Sequence, residues 1–540
     1  IKAKRGVIFD RNGVELAGNK PVCSISVIHS QITDEDAVVA ALTGVLGLSE
    51  DTVRKKVRAN TIREKIKSNV EKETADILRE MNLDGVMIDE DYKRYYPYNT
   101  LASKVLGFTG SDNQGIVGLE VEYESVLSGT PGSILTLTDA NGVEIKNEAE
   151  GRIEPIAGNN LYISIDVNMQ KYAEQAANKV YKSKQAKRVS VILMNPQNGE
   201  IYAMVNIPEY NLNEPYKLVG FDGTSLNDKE KQDALNMMWR NFCINDTYEP
   251  GSTFKTVTAT AALEEGVVSE NDTFNCPGFR IVEDRKIRCA RTTGHGTETF
   301  KQGIMNSCNP VFIDVGSRVG VSKMYKNYEK LGLFEKTGID VPGEANSIMH
   351  KKENVGAVEL ATMSFGQSFQ ITPMQLLRAA SAIINGGTLV TPHFAMYSTD
   401  ENGNVNSNYE YNIKPGVIKK ETSDKMKELL EAVVAEGGGT KGRVAGYRVG
   451  GKTATSEKLP RGTGKYISSF MGFAPADNPQ IIGLIMIDEP EGTYYGGTIA
   501  APVMSEIFSN ILPYLGIEAD YSEEKVKESM TTFYIEEGVE

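Results

Sequence analysis

The chain has 540 residues, 58 Lys+Arg against 72 Asp+Glu for a formal net charge of −14, and is 40% hydrophobic and 24% charged. That length exceeds one ordinary core and predicts two or three domains. The acidic balance argues against a nucleic-acid partner, since phosphate binding needs a basic face, and against docking on an anionic membrane surface.

No window reaches the ~18 consecutive apolar residues that a spanning helix requires. The chain opens on Ile1-Lys2-Ala3-Lys4-Arg5 without Met or a signal peptide, which suggests a processed start with an anchor upstream. Cysteines at 23, 243, 276, 289 and 308 are odd in number and sparse. They argue against a disulfide framework and for a metal cluster or free thiols.

In chain order, residues 1–155 mix short strands with short helices. Thr33-Asp34-Glu35-Asp36 resembles a capping box ahead of a helix running to Leu46, and 49–59 repeats the pattern with a basic face. Turn signals stand at Asp10-Arg11-Asn12-Gly13, Tyr96-Pro97-Tyr98-Asn99, Gly129-Thr130-Pro131-Gly132 and Asn141-Gly142. Residues 161–166 predict a strand and 168–182 an amphipathic helix. Residues 189–194 and 200–205, joined through Asn198-Gly199, predict a hairpin. Strands and long helices continue to Leu515, and an acidic, polar tail follows. There is no internal repeat.

Three elements carry chemistry. In Pro250-Gly251-Ser252-Thr253-Phe254-Lys255, Pro-Gly stops the preceding chain and a helix begins at or near Ser252. Residues three apart share a helix face, so Lys255 can reach Ser252. A serine hydroxyl needs such a base, and burial or a second cation makes lysine one. Ser-x-x-Lys alone is weak, since Ser522-Glu-Glu-Lys525 repeats it in the polar tail.

The second element is Asn306-Ser307-Cys308-Asn309-Pro310. Ser307 can relay a proton and Asn309 can hold a carbonyl. By itself, however, the segment reads better as a helix cap before Val311.

For the third, a literal Lys336-Thr337-Gly338 sits in a loop and reads as structural. The variant Lys452-Thr453-Ala454-Thr455 follows Gly450-Gly451 and precedes an apolar partner at 467–471, which suits an edge strand. A cation and hydroxyls there would bind a carboxylate, and a strand N–H would complete an oxyanion hole, a donor whose removal costs ~3 kcal/mol. Gly446 to Thr453 also satisfies the phosphate-loop pattern, but Pro460, Gly462 and Gly464 prevent the helix that loop must open.

Taken in order, these elements resemble the penicillin-binding transpeptidases. The trio Ser-x-x-Lys, Ser-x-Asn and Lys-Thr-Gly matches Ser252/Lys255, Ser307/Asn309 and Lys452/Thr453, with Ala454 where the family has Gly. The surroundings 246–255, 366–375 and 5–13 match too. So do Arg94-Tyr95-Tyr96-Pro97, Gly107-Phe108-Thr109-Gly110 and Gly118-Leu119-Glu120, which look like the non-catalytic pedestal of class B members. Nothing resembles a glycosyltransferase, and Asp112-Asn113-Gln114-Gly115 with the tail points to the division and sporulation branch.

The resemblance implies a multidomain α/β (α+β) chain. An elongated N-terminal α+β pedestal or dimerisation domain (1–155) precedes a β-lactamase-like transpeptidase domain (156–515) with an antiparallel sheet between helices, and a tail or linker (516–540) follows. It implies a membrane-anchored, extracytoplasmic enzyme of septal or spore-cortex synthesis. Ser252 would acylate on a D-Ala-D-Ala stem peptide or a β-lactam, with the Thr455 and Ser252 N–H groups as oxyanion donors. A membrane cell-wall polymerase is the expected protein partner, and catalysis needs no cofactor. The Ala454 methyl would crowd the cleft edge against bulky β-lactams.

Rival readings are a D,D-carboxypeptidase or β-lactamase-type hydrolase, or a β-lactam sensor or scaffold that recruits a polymerase. Finally, Cys276, Cys289, His295 and Cys308, spaced C-x12-C-x5-H-x12-C, suit a structural zinc site. Some penicillin-binding proteins are similar in placing zinc near this segment. Buried thiols or a 276–289 disulfide are the alternatives. Cys308 should face away from the cleft, and Cys23 and Cys243 read as core.

Overall fold

The computed structural model describes residues 2–59, 61–135, 151–220 and 226–520. The Asn141-Gly142 turn, the Ser522/Lys525 pattern and most of the expected tail lie outside the described residues.

The amino-terminal part runs β1 (Ile8–Phe9), β2 (Glu15–Val27), α1 (Glu35–Leu46), α2 (Glu50–Val57), β3 (Glu64–Val70), α3 (Lys72–Glu80) and β4 (Val86–Tyr95). The helix expected to end at Leu46 does so. Its cap is Asp34, whose side chain accepts from Ala37 N–H at 3.0 Å. Val38, Val39, Leu42 and Leu46 recur at helical spacing and bury against Ile25 and Val27 of β2, making a small separate core.

Then follow β5 (Asn160–Ile163), α4 (Val167–Ser183) and the expected hairpin, β6 (Arg188–Met194) with β7 (Ile201–Ile207). The rest comprises α5 (Lys255–Glu264), β8 (Thr273–Cys276), β9 (Gly296–Thr299), α6 (Asn309–Val319), α7 (Pro373–Ile384), β10 (Ala395–Thr399), β11 (Val405–Asn408), α8 (Lys420–Ala435), β12 (Gly450–Glu457), β13 (Tyr466–Ala474), β14 (Ile481–Asp488) and α9 (Ala501–Tyr514), with shorter helices and hairpins between. Among the described residues no helix is long and apolar enough to cross a membrane.

Two sheets organise the chain. The first has the order β11-β10-β5-β1-β2-β3, with β4 also pairing β2. Strands remote in sequence meet here, as Ile8 of β1 pairs in parallel with Leu161 of β5. The second has the order β12-β13-β14-β6-β7 and is antiparallel throughout. Its inner strand β14 is buried on both faces and reads as a nearly continuous apolar run. Ile482, Leu484 and Met486 join the core with Leu376 and Ile383 of α7. The alternate Ile481, Ile485 and Ile487 join Ala173 of α4 and Ile507 of α9.

Three of the amino-terminal segments that carry the resemblance, 5–13, 94–97 and 118–120, meet at one buried carboxylate. Glu120 accepts from Arg5 Nε at 2.8 Å, Arg94 Nε at 2.7 Å and Tyr96 OH at 3.1 Å. Burial opposes the charge on Glu120, yet Arg94 and Arg5 hold its carboxyl below the usual range. This ion cluster ties the chain's start to β4 and to the helix Gly118–Glu122.

Candidate active site

The chain enters the site through a 3-10 turn, Gly251–Phe254, that runs directly into α5. Gly251 has φ +60, and a Cβ there would meet Ser456 Oγ, so glycine is required on both counts. The 366–371 segment braces this turn. Gly251 N–H donates to Gly366 O at 2.9 Å, Ser368 N–H donates to Glu249 Oε1 at 2.7 Å, and Tyr248 bridges Ile371. Phe254 is pinned by the rings of Phe369 (4.6 Å) and Tyr328 (5.4 Å).

Helix α5 is buried from Lys255 to Ala262. Its threonines tolerate this because their hydroxyls donate to carbonyls: Thr256 to Thr253, Thr260 to Thr256, and Thr258 to Ser364.

Lys255 Nζ donates to Ser307 O (2.6 Å), Ser307 Oγ (3.1 Å) and Asn309 Oδ1 (2.8 Å). Lys452 Nζ reaches the same Ser307 Oγ at 2.9 Å. Two lysines thus share one hydroxyl in a buried place. Burial pushes Lys255 down to about 8, with Cys308, Cys289 and Glu298 pulling the other way. Burial, then repulsion from Lys255, pushes Lys452 down as well. Both shifts disfavour charge on the pair. Ser252 Oγ makes no hydrogen bond among the described residues, so the Lys255 contact expected from helix spacing is not formed. The lysine's three donors go to the Ser-x-Asn element instead.

The cap reading of that element is overturned. Cys308 occupies the N-cap of α6 without a side-chain cap bond, and Pro310 follows in the first turn. Ser307 adopts φ +53, and its hydroxyl serves the two lysines. Asn309 engages Lys255 through Oδ1, and its Nδ2 donates to Arg288 O at 3.0 Å.

Lys452, Thr453 and Thr455 lie on β12, an edge strand paired with β13 through Lys452↔Met471 and Ala454↔Ser469. The strand rules out the phosphate-loop reading, since no helix starts at Thr453. Lys452, Ala454 and Ser456 are the buried alternate positions, and Ala454 is only 3% exposed. Thr455 Oγ1 accepts from Gly496 N–H at 2.9 Å. Lys336-Thr337-Gly338 is a loop, where Thr337 is buried on Glu344.

Cys276 closes β8, His295 precedes its partner strand β9, and Cys289 and Cys308 complete a group whose ligand atoms all lie within 4.8 Å of one another. All five cysteines are unpaired, which removes the 276–289 disulfide. Three sulfurs and an imidazole at this spacing fit tetrahedral zinc. Glu298 and Asn306, which the sequence did not single out, join this cluster to the cleft. Glu298 Oε2 accepts from Asn306 Nδ2 at 2.9 Å, and Oε1 lies 3.7 Å from His295 Nδ1. Their only sequence signal is position: Asn306 precedes Ser307, and Glu298 is the buried residue of β9.

Residues 189–509 match the penicillin-binding protein transpeptidase domain, and residues 1–163 match the penicillin-binding protein dimerisation domain. The chain belongs to the penicillin-binding protein transpeptidases. It is similar to stage V sporulation protein D of Bacillus subtilis (38% identical, covering 96% of this chain and 79% of that protein). It is also similar to a probable peptidoglycan D,D-transpeptidase PenA of Neisseria meningitidis (30%, covering 96% and 85%). Its fold is that of penicillin-binding protein 2X from Streptococcus thermophilus, at TM-score 0.77 and 23% identity over 97% of this chain and 81% of that one. With a dimerisation domain ahead of its transpeptidase domain, the chain is a class B penicillin-binding protein.

Proposed function

We propose that this protein is a peptidoglycan D,D-transpeptidase that cross-links stem peptides through an acyl-enzyme on Ser252. The observation that carries the reading is the convergence of Lys255 and Lys452 on Ser307 Oγ, beside a serine whose hydroxyl is unengaged.

Lys255, biased toward its neutral form by burial, takes the Ser252 proton as Oγ attacks the carbonyl of the penultimate D-Ala. The N–H groups of Ser252 and Thr455 receive the oxyanion. Lys452, Thr453 and Thr455 hold the terminal carboxylate. Thr455 Oγ1 already accepts from Gly496, so its own proton is free to donate. Ser307 carries the proton from Lys255 to the leaving D-Ala nitrogen. Asn309 keeps a second Nδ2–H for the donor's amide carbonyl. An amine of a neighbouring stem peptide then attacks the ester, gives up its proton along the same route and restores Ser252.

Intact-mass measurement after penicillin treatment tests this. A stable adduct on the parent and none on Ser252→Ala is expected. Rapid turnover without an adduct would mean a hydrolase.

Further parts of this reading are a pedestal over 1–155, a transpeptidase domain over 156–515, a tail over 516–540, an anchor in the cell membrane with the catalytic domain outside it, and a membrane polymerase as partner. A zinc ion held by Cys276, Cys289, His295 and Cys308 would act as a closed structural cross-link behind Ser307 and Asn309. Metal analysis of protein prepared without added zinc should give about one zinc per chain; clearly substoichiometric zinc in folded protein refutes it.

A further inference from the structure

A cavity of about 240 Å³ opens where the dimerisation and transpeptidase domains meet. The first domain supplies Tyr92, Lys93 and Arg94 of β4, and the second supplies Asn213 and Tyr216. None of its lining residues belongs to the site around Ser252.

Contacts behind the walls hold the gap open. Asn213 Oδ1 accepts from Tyr96 N–H at 3.0 Å, and Asn213 Nδ2 donates to Tyr96 O at 2.9 Å. The Tyr216 ring packs edge-on against Phe108 (5.5 Å) and Trp239 (5.6 Å), and Trp239 Nε1 donates to Pro215 O at 2.9 Å.

Arg94 gives the cavity its chemistry. Its side chain is buried; Nε donates to Glu120 and Nη1 to Gly6 O at 2.7 Å, but Nη2 has no hydrogen-bond partner. Asn19 Oδ1, on the residue across the β2–β4 ladder, is also unpartnered, and the two atoms are not bonded to each other. A buried charged donor without an acceptor is unfavourable, so Nη2 calls for one.

The charges nearby leave a positive excess. Arg5 pairs with Glu120 (2.8 Å) and Glu124 (2.7 Å), Arg94 with Glu120 (2.7 Å), Lys65 with Asp112 (4.0 Å) and Lys2 with Asp91 (2.8 Å). Lys93 pairs with no carboxylate among the described residues. Neither does Lys20, opposite it on the ladder, whose Nζ sits over the Tyr95 ring at 3.8 Å. One free guanidinium nitrogen and one free ammonium suit the two oxygens of a carboxylate.

We infer that this cavity is a binding site for a carboxylate, received by Arg94 and Lys93, whose occupant bridges the two domains. That chemistry belongs to a small N-acyl amino acid or to an acidic side chain of a polypeptide.

Trp239 is the single tryptophan of the chain and touches the cavity wall, so its fluorescence reports occupancy. Titrations at constant ionic strength use N-acetylglycine, its neutral amide, and an acetyl-Gly-Asp-Gly amide tripeptide. N-acetylglycine should bind with a Kd of about 1 mM, as suits so small a ligand, and the amide at least tenfold more weakly. Binding by the tripeptide as well points to a polypeptide as the source, and binding by N-acetylglycine alone to a small acid; both support a carboxylate site. Lys93→Gln, an exposed change, should weaken N-acetylglycine about fivefold, the worth of one partly exposed ion pair. Arg94→Lys keeps a cation for Glu120 but removes Nη2, and should weaken it about tenfold. Melting temperatures verify folding, and if Arg94→Lys does not fold, Lys93→Gln decides. No saturable change up to about 50 mM N-acetylglycine, equal binding of the amide, or an unchanged Kd in Lys93→Gln overturns the inference.

Discussion

Replacing Lys255 with methionine separates the lysine's chemistry from its place in the core. The side chain is 1% exposed, and its Nζ satisfies three acceptors, so an ordinary deletion would leave a cavity and stranded polar atoms. Methionine keeps the length and volume. A lysine held at about 8 rather than 10.5 carries a penalty of about 3 kcal/mol on its charged form in the folded state. That penalty is full below pH 8, fades between pH 8 and 10.5, and is absent above, because in that window the unfolded chain binds the extra proton. At pH 7, Lys255→Met removes the penalty and loses the hydrogen bonds that partly offset it, so the melting temperature should change by no more than a few degrees. Acylation by penicillin should nonetheless fall by 10²–10⁴, about 3–5 kcal/mol of transition-state stabilisation. In the parent, the acylation rate should rise with pH to a plateau, with a midpoint near 8. The assay is stopped-flow or quenched-mass acylation across pH 6–10 beside thermal melts. A Lys255→Met variant that acylates within tenfold of the parent, or a flat parent profile, would refute the assignment of Lys255 as the base.

Other outcomes follow from particular contacts. Glu120→Gln leaves Arg94 buried with a neutral partner and Arg5 with only the partly exposed Glu124, and chemical denaturation should show a loss of about 3–5 kcal/mol. Gly251→Ala puts a Cβ into Ser456 Oγ at φ +60, so acylation should drop at least tenfold in a protein that still folds by circular dichroism. Ala454→Gly removes a methyl packed 3.6 Å from where a Gly251 Cβ would stand, and should raise the acylation rate by bulky cephalosporins; equal rates in variant and parent would count against crowding. Asn306→Ala cuts the link from Glu298 to the Ser-x-Asn element and should slow acylation while leaving the metal content equal to that of the parent.

Local signals placed much of this architecture. Asp34 and Ser49 cap the first two helices because short polar side chains satisfy N–H groups that a helix start leaves free. Asn198-Gly199 turned the β6–β7 hairpin, and Pro250-Gly251 put Ser252 in the first turn of a helical segment. Edge-strand context distinguished Lys452 from Lys336. The same locality misjudged Ser307 and Asn309, whose residue types suit a cap equally well; only the arrival of Lys255 and Lys452 from remote elements takes their side chains away from the backbone.

By itself, then, the amino-acid order determined the family, the hairpins and the capped helices, and it offered a candidate nucleophile with candidate partners and a cysteine–histidine set with the chemistry of zinc, because each rests on short motifs of residue type and spacing. Tertiary structure alone decided that Arg5, Arg94 and Glu120 share one buried charge cluster and that two lysines meet on a single hydroxyl. Those facts arise where segments 26 to 145 residues apart are packed together and water is excluded, and no local pattern encodes such a meeting.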